Sequence, residues 1–555
     1  MESHAARADV PAPQDAGSLF VRQSSGLVRA FRPFDAFCYA IYADSIIAAA
    51  ALSYQVGWPF NRANIPLGIV ITCLAFMPTF AVYSMLMHLM PRAGGDYVWQ
   101  SRSLGGFWGY VLIFGPLMIG PWFFMAGNVL PGATLATAPL FVSLGGVLGA
   151  EWPVHFANWL VTKDGQFAFY CFYICFAFVV VALGMRFYAR FQRWSFYIGC
   201  AGIVTYMVIL LTTSHGEFVS SFNHFMANTF HYGNGNAYQH IIDQATKNGY
   251  HPVASGDWTW KHTILIGPVL AYTFLFVAWS GNLAGEISGM GQYKRSLRTI
   301  LGANTFAMVV CAVFMLAVIS TVSNQFFTSS NFVGSALGNG DVPVTPVYSI
   351  FIMSMVSSPW LWLWIMITFS AWFWIWPTNN FVGSTRFQFA MAYDRMLPSK
   401  LTAVVGRTGT PIYALALSWV GSLIFGILFW YTSFSKLTLD LPLFAAIAFG
   451  GSTLAGGLMP FRASTKRIYQ GSVLAKYHVG PLPLITFLSA LGLLYFVFMI
   501  YLYATDSRYG VNSKTGLWFV IGLFALAIVF YYGFKELRRR QGMDVSRTYQ
   551  EIPSD

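Results

Sequence analysis

The 555-residue chain is 56% hydrophobic and 18% aromatic, carries only 9% charged residues and has a mean hydropathy of +0.57. Soluble domains carry about 25% charged residues, so this deficit excludes an ordinary soluble domain and points to a chain that crosses a bilayer many times. The formal charge of +12 is therefore read by position, as a marker of membrane topology rather than of nucleic-acid binding.

In chain order, residues 1–25 are polar and rich in Ala, Pro and Ser, which predicts a disordered cytoplasmic tail without a cleavable signal peptide. Apolar segments of spanning length follow at 33–55, 64–90, 106–130, 167–185, 194–213, 263–285, 300–322, 360–383, 411–431, 441–460, 481–504 and 516–534. They predict an all-α integral membrane protein of twelve transmembrane helices, forming one domain over 26–535, with a second cytoplasmic tail at 536–555. Of the 32 Lys and Arg residues, 25 fall in the termini and alternate connections, and only Arg62, Lys163, Lys247, Lys261, Lys436, Arg508 and Lys514 fall in the others. That bias places both termini in the cytoplasm of a cell-membrane protein. Residues 139–161 and 344–358 are also apolar, but counting either as a span would invert every later loop, so both are expected as outer-face or re-entrant helices.

The connection 214–262 is polar and holds six histidines, spaced too widely for a tight metal motif; a solvated loop is expected. All six cysteines lie within apolar segments, as packing residues rather than a disulfide framework. No phosphate loop, metal-ligand spacing or nucleophile–base pair marks an enzyme or calls for a cofactor.

Two apolar segments are interrupted by polar residues. The sixth carries Trp279-Ser280-Gly281-Asn282 near its middle and Glu286 toward its end. Broken backbone in hydrocarbon is tolerated only where protein or a water-filled cavity satisfies it, so this stretch reads as a discontinuous helix lining a binding site. The alternative is a plain bundle helix with a small-residue packing face. The first segment carries Ala43-Asp44-Ser45. Asp44 lies near mid-span, where a carboxylate is costly unless it functions; it pairs with an amine on a solute, carries a coupled proton, or is a neutral structural residue.

Three stretches in register carry a family resemblance. Pro91-Arg92-Ala93-Gly94-Gly95-Asp96-Tyr97-Val98-Trp99, running on to Gly105-Gly106, resembles the first cytoplasmic loop of the amino acid–polyamine–organocation (APC) superfamily of permeases. Gly285-Glu286 with Lys294-Arg295 resembles the junction after the sixth helix, and Ser384-Thr385-Arg386 to Pro398, with Gly409-Thr410-Pro411, resembles that after the eighth. The resemblance implies a 5+5 inverted repeat (about 33–213 and 263–460) with helices one and six discontinuous, plus two peripheral helices at 481–534. It also implies a secondary active transporter of an amino acid or related amine, working by alternating access.

The expected substrate-binding residues are Ala43, Asp44, Ser45, Trp279, Ser280, Gly281 and Asn282, with Asp44, Glu286 and Arg386 in coupling or gating. Glu286 is expected to pair with a basic loop residue. Arg386 and Asp394, eight residues apart, share a helix face as a gate contact or as a solvated charged face. Pro116, Gly120, Pro121, Trp374 and Trp376 are pocket-shaping or packing residues. The chain departs from the family where Asp44-Ser45 stands in place of the usual Gly-x-Gly break. The coupling ion is H+ or Na+: Asp44 suits a proton, and Thr378, Asn379, Asn380 and Ser384 offer oxygens to sodium. A non-transporting sensor or channel-like protein is the alternative from another class.

Overall fold

The computed structural model describes residues 27–550 apart from 28, 49, 52, 53, 55, 56 and 407; the expected disordered tail 1–25 lies outside them. The described chain is almost wholly helical. The main helices are α1 (Pro33–Asp44), α2 (Ile65–Leu89), α3 (Gly95–Ser103), α4 (Gly106–Leu148), α5 (Lys163–Ala182), α6 (Met185–Thr212) and α7 (Trp260–Leu283). They continue with α8 (Tyr293–Val322), α9 (Pro359–Tyr393), α10 (Ile412–Tyr431), α11 (Leu441–Leu458), α12 (Leu484–Thr505) and α13 (Lys514–Arg540).

Ten of these, all but α1, α3 and α11, are long and apolar enough to cross a membrane. The first expected span is interrupted after Asp44, and α11 is a shorter apolar helix. α12 and α13 are the least buried of the ten, at 28% and 22%, against 89% for α4, so they lie at the periphery.

Local chemistry sets the ends. Asn64 caps α2 by accepting the Leu67 N–H at 3.1 Å, and Thr162 caps α5 by accepting the Gly165 N–H at 3.2 Å. Between α12 and the preceding chain sits the one regular hairpin among the described residues, β1 (His478–Val479) antiparallel to β2 (Leu482–Pro483), with His478 opposite Pro483.

The third span corrects an expectation. α4 does not stop near 130 but runs to Leu148, where Gly149 turns left-handed at φ 60°. It stays helical through Pro116 and Pro131 because single π turns at Phe114–Ile119 and Gly132–Thr137 insert an extra residue where a proline breaks the hydrogen-bond ladder. Only Trp152–Leu160 forms a separate helix in the 139–161 stretch. The second ambiguous stretch forms a two-turn helix, Tyr348–Ser354, with every residue buried.

The polar connection after α6 is also more ordered than a solvated loop. It folds into helices His215–Phe230 and Ala237–Lys247, the first closed by a capping box between Ser214 and Glu217. His240 pairs with Asp341 at 2.9 Å and His215 contacts the Thr321 carbonyl at 2.9 Å. Among the described residues no three His, Cys, Asp or Glu side chains converge as a metal site.

Candidate functional site

The break in the first helix is built on Ser45, which holds a left-handed conformation (φ 44°, ψ 64°) without being glycine. Such strain persists only where surroundings over-determine it. Here carbonyls beside the break find side-chain partners: Ile46 accepts from Cys311 Sγ at 3.5 Å, and Ile47 accepts from the Tyr348 hydroxyl as well as from the Ala51 N–H. Asp44 is fully buried, and neither carboxyl oxygen forms a hydrogen bond. The backbone amides of Phe276 and Val277 face it. These lie in Leu275–Leu283, where α7 tightens from α-helix to 3-10 geometry. The two irregular segments therefore meet at Asp44 and 276–277, several residues before the Ser280-Gly281-Asn282 sequence that marked the break.

That sequence is held from the other side by the loop after α2. The Gly94 N–H donates to the Asn282 carbonyl at 2.8 Å. Gly94 adopts φ 67°, and a Cβ there would lie 2.6 Å from Ala390 Cβ; a Cβ on Gly95 would lie 2.4 Å from the Gly281 carbonyl oxygen. Only glycines let this loop wedge between α7 and α9. Asn282 exchanges 3.4 Å contacts with the Tyr39 hydroxyl, and Ser280 Oγ donates to the Val277 carbonyl at 2.8 Å. In α3, just beyond the wedge, buried Asp96 accepts hydrogen bonds from the hydroxyls of Tyr83 and Ser452. Burial pushes its carboxyl up to about 6, against the pull of those two donors.

Beyond the wedge, two buried ion pairs lie near both described chain ends. Arg386 on α9 grips Glu286 through Nε–Oε1 at 2.7 Å and Nη2–Oε2 at 2.8 Å, with 0% and 2% of the side chains exposed. Arg102 at the end of α3 grips Asp394 in the same bidentate way. Arg386 and Asp394 are thus not partners of each other: each reaches a different helix. Two chain ends lace this layer. Phe31 forms a parallel bridge with Ile287, donating to the Glu286 carbonyl at 3.1 Å. Tyr549 lies beside Arg102, whose guanidinium carbon is 5.7 Å from the ring centroid.

Between α1, α4, α7 and α9 lies a small cavity of about 30 Å³, room for about a water molecule as the helices stand, which a solute could enter only if they part. Of the seven expected binding residues, Ala43 and Trp279 line it; Asp44, Ser45, Ser280, Gly281 and Asn282 do not. Pro116, Pro121 and Trp376 shape its wall, whereas Gly120 and Trp374 do not; Trp374 packs instead on Phe176, centroids 5.0 Å apart. Trp279 lies over α9: a Cβ on Gly383 would sit 2.0 Å from its Cζ2, and its Nε1 donates to the Asn379 carbonyl at 3.3 Å.

Sequence reasoning missed Leu117, Phe124, Asn128, Tyr272 and Phe276, which complete the walls. Asn128, a lone amide within an apolar span, was the available signal. The Tyr272 hydroxyl donates to its Oδ1 at 3.5 Å.

The candidate sodium oxygens are largely engaged within the bundle. Thr378 shares a hydrogen bond with Tyr173 at 2.9 Å, Asn379 Oδ1 accepts from Tyr188, and Ser384 Oγ accepts from Trp122 at 2.7 Å. The amide nitrogens of Asn379 and Asn380, by contrast, are buried without partners.

The sequence model of the amino acid permease family matches residues 36–530, which spans every element named above except the first residues of α1, the last turns of α13 and the two chain ends. No significant match was found among curated proteins.

Proposed function

As the chain belongs to the amino acid permease family, it is a multi-pass membrane transporter, and we propose that it carries an amino acid or related amine by alternating access, coupled to protons through Asp44. The observation that carries this reading is the meeting of two irregular helices at an unpartnered buried carboxyl, beside a cavity and with two buried ion pairs near the chain ends. α1 and α7 would move against the remaining helices as the paired mobile elements of a 5+5 repeat, with both termini cytoplasmic.

In the closed state Asp44 is buried with no cation beside it and only the backbone amides of Phe276 and Val277 facing it, and there it carries the coupled proton. Opening toward either face would hydrate it and let the proton leave. Proton and solute then cross together because both depend on the same rearrangement of α1 against α7. Glu286–Arg386 and Arg102–Asp394 must part for the face carrying the chain ends to open. Trp279, packed on Gly383 and lining the cavity, would move with α7.

Uptake of labelled amino acids into proteoliposomes tests the proposal. With an imposed inward proton gradient the wild type accumulates solute above the outside concentration, and Asp44→Asn only equilibrates it. Equilibration by the wild type under every gradient would point to a channel, and full accumulation by Asp44→Asn would remove the carboxyl from coupling.

A further inference from the structure

The polar groups facing the cavity are few, and they are uncharged. The side-chain oxygen of Asn379 is occupied by the Tyr188 hydroxyl, while its Nδ2 and that of neighbouring Asn380 are buried donors with no acceptor. A buried donor left unsatisfied is costly, and in a native structure it calls for an explanation. Both residues line the cavity, so an acceptor brought by the solute would satisfy the two donors together. We propose that Asn379 and Asn380 bind the carboxylate of the solute as the helices part around it, and that the solute is a zwitterionic amino acid with an apolar or aromatic side chain.

The class follows from the rest of the wall. No acidic or basic side chain lines the cavity, so a carboxylate bound there must be balanced by the solute's own ammonium group. Asn128 Oδ1 accepts one long hydrogen bond from Tyr272 and keeps a second lone pair for that ammonium. Much of the remaining surface comes from Leu117, Phe124, Phe276, Trp279 and Trp376. These suit an apolar or aromatic side chain and leave a third charge, as in lysine or glutamate, buried and unpaired. Carboxylate recognition thus moves to α9, where it compensates for a first helix that has Asp44-Ser45 in place of bare glycine backbone.

This inference rests on the cavity being the transport site proposed above, and binding to purified protein in detergent separates the two. The probes are L-phenylalanine, phenethylamine (the same molecule without its carboxylate), L-lysine and L-glutamate. Wild-type protein should bind phenylalanine about 10-fold or more tightly than any of the other three. Asn380→Ala removes a donor that makes no hydrogen bond in the structure. It should erase most of the advantage of phenylalanine over phenethylamine and leave phenethylamine binding within about 2-fold. Asn379→Asp keeps an acceptor for Tyr188 but turns the orphan donor into a repelling oxygen, and should have the larger effect. Tighter binding of lysine or glutamate, or an undiminished phenylalanine advantage in both variants, overturns the inference and leaves the transporter reading standing. No binding of any amino acid, together with no uptake, overturns both.

Discussion

Glu286→Gln removes one charge from a pair in which Arg386 is 0% exposed and held at 2.7 and 2.8 Å. The guanidinium would keep its hydrogen bond to Thr385 Oγ1 at 2.9 Å but face a neutral amide in place of a carboxylate. Breaking a buried ion pair by removing one partner costs about 3–5 kcal/mol, most of it the stranded charge. Arg386→Gln should cost a similar amount by stranding Glu286. The double variant removes both charges, so its loss should fall short of the summed single losses by about 2 kcal/mol or more. Unfolding in mixed micelles titrated with SDS measures all three. The pair joins α7 to α9 across the closed face, so a loss of about 3 kcal/mol specific to that state moves its population roughly 100-fold. The single variants should therefore leak solute from preloaded vesicles faster than the double variant does. Single losses under about 1 kcal/mol that simply add in the double variant would refute the claim that the pair holds this face shut.

Gly383→Ala would improve helix propensity by about 1 kcal/mol at an open position. Here the new Cβ meets the Trp279 ring at 2.0 Å, so the variant should lose stability, shift its tryptophan emission and slow uptake about 10-fold or more. Asp96 supplies a pH dependence. Its carboxyl, usually near 3.8, stands at about 6 in the folded protein. The folded state thus holds this proton more tightly than the unfolded chain does. The resulting stabilisation is complete below about pH 4 and is lost as pH rises through about 6, a change on the order of 3 kcal/mol. Asp96→Asn should flatten that part of the stability profile, and an unchanged profile would remove Asp96 as its source. Tyr549→Ala deletes a ring packed over Gly106 and beside Arg102; it should cost about 1–3 kcal/mol and expose residues 541–550 to proteolysis, read by limited digestion.

Much of the architecture was legible because hydrocarbon imposes strict demands on sequence. Spanning length marked nearly every long helix. Glu286 announced an ion pair because an acid at a helix end under a bundle needs a cation, but the partner is not the loop residue expected: it is Arg386, within α9. The exact partners were not legible: Arg386 and Asp394 share a face by spacing, yet helix packing sends Asp394 to Arg102. Proline misled at the third span, since π turns let α4 run through Pro116 and Pro131.

The site itself was half visible. Residue types that weaken a helix pointed to Ser280-Gly281-Asn282, but α7 leaves α-helical geometry earlier, at Leu275, where nothing in Leu275-Phe276-Val277 disfavours a helix. The wedge of Gly94-Gly95, a tertiary contact, occupies the polar triplet instead. Ser45 shows the converse: a left-handed residue without glycine, held by neighbours that lie far away in the chain.

The central claim is that one cavity, bordered by α1 at Ala43, is reached from the two sides of the membrane in turn. A single cysteine at Ala43, in a background lacking the six native cysteines, can be challenged with a membrane-impermeant maleimide applied to one side or the other of oriented vesicles. Labelling is expected from one side in the absence of solute, with a shift toward the other side, or protection, when solute is added. Labelling at equal rates from both sides under both conditions would contradict it.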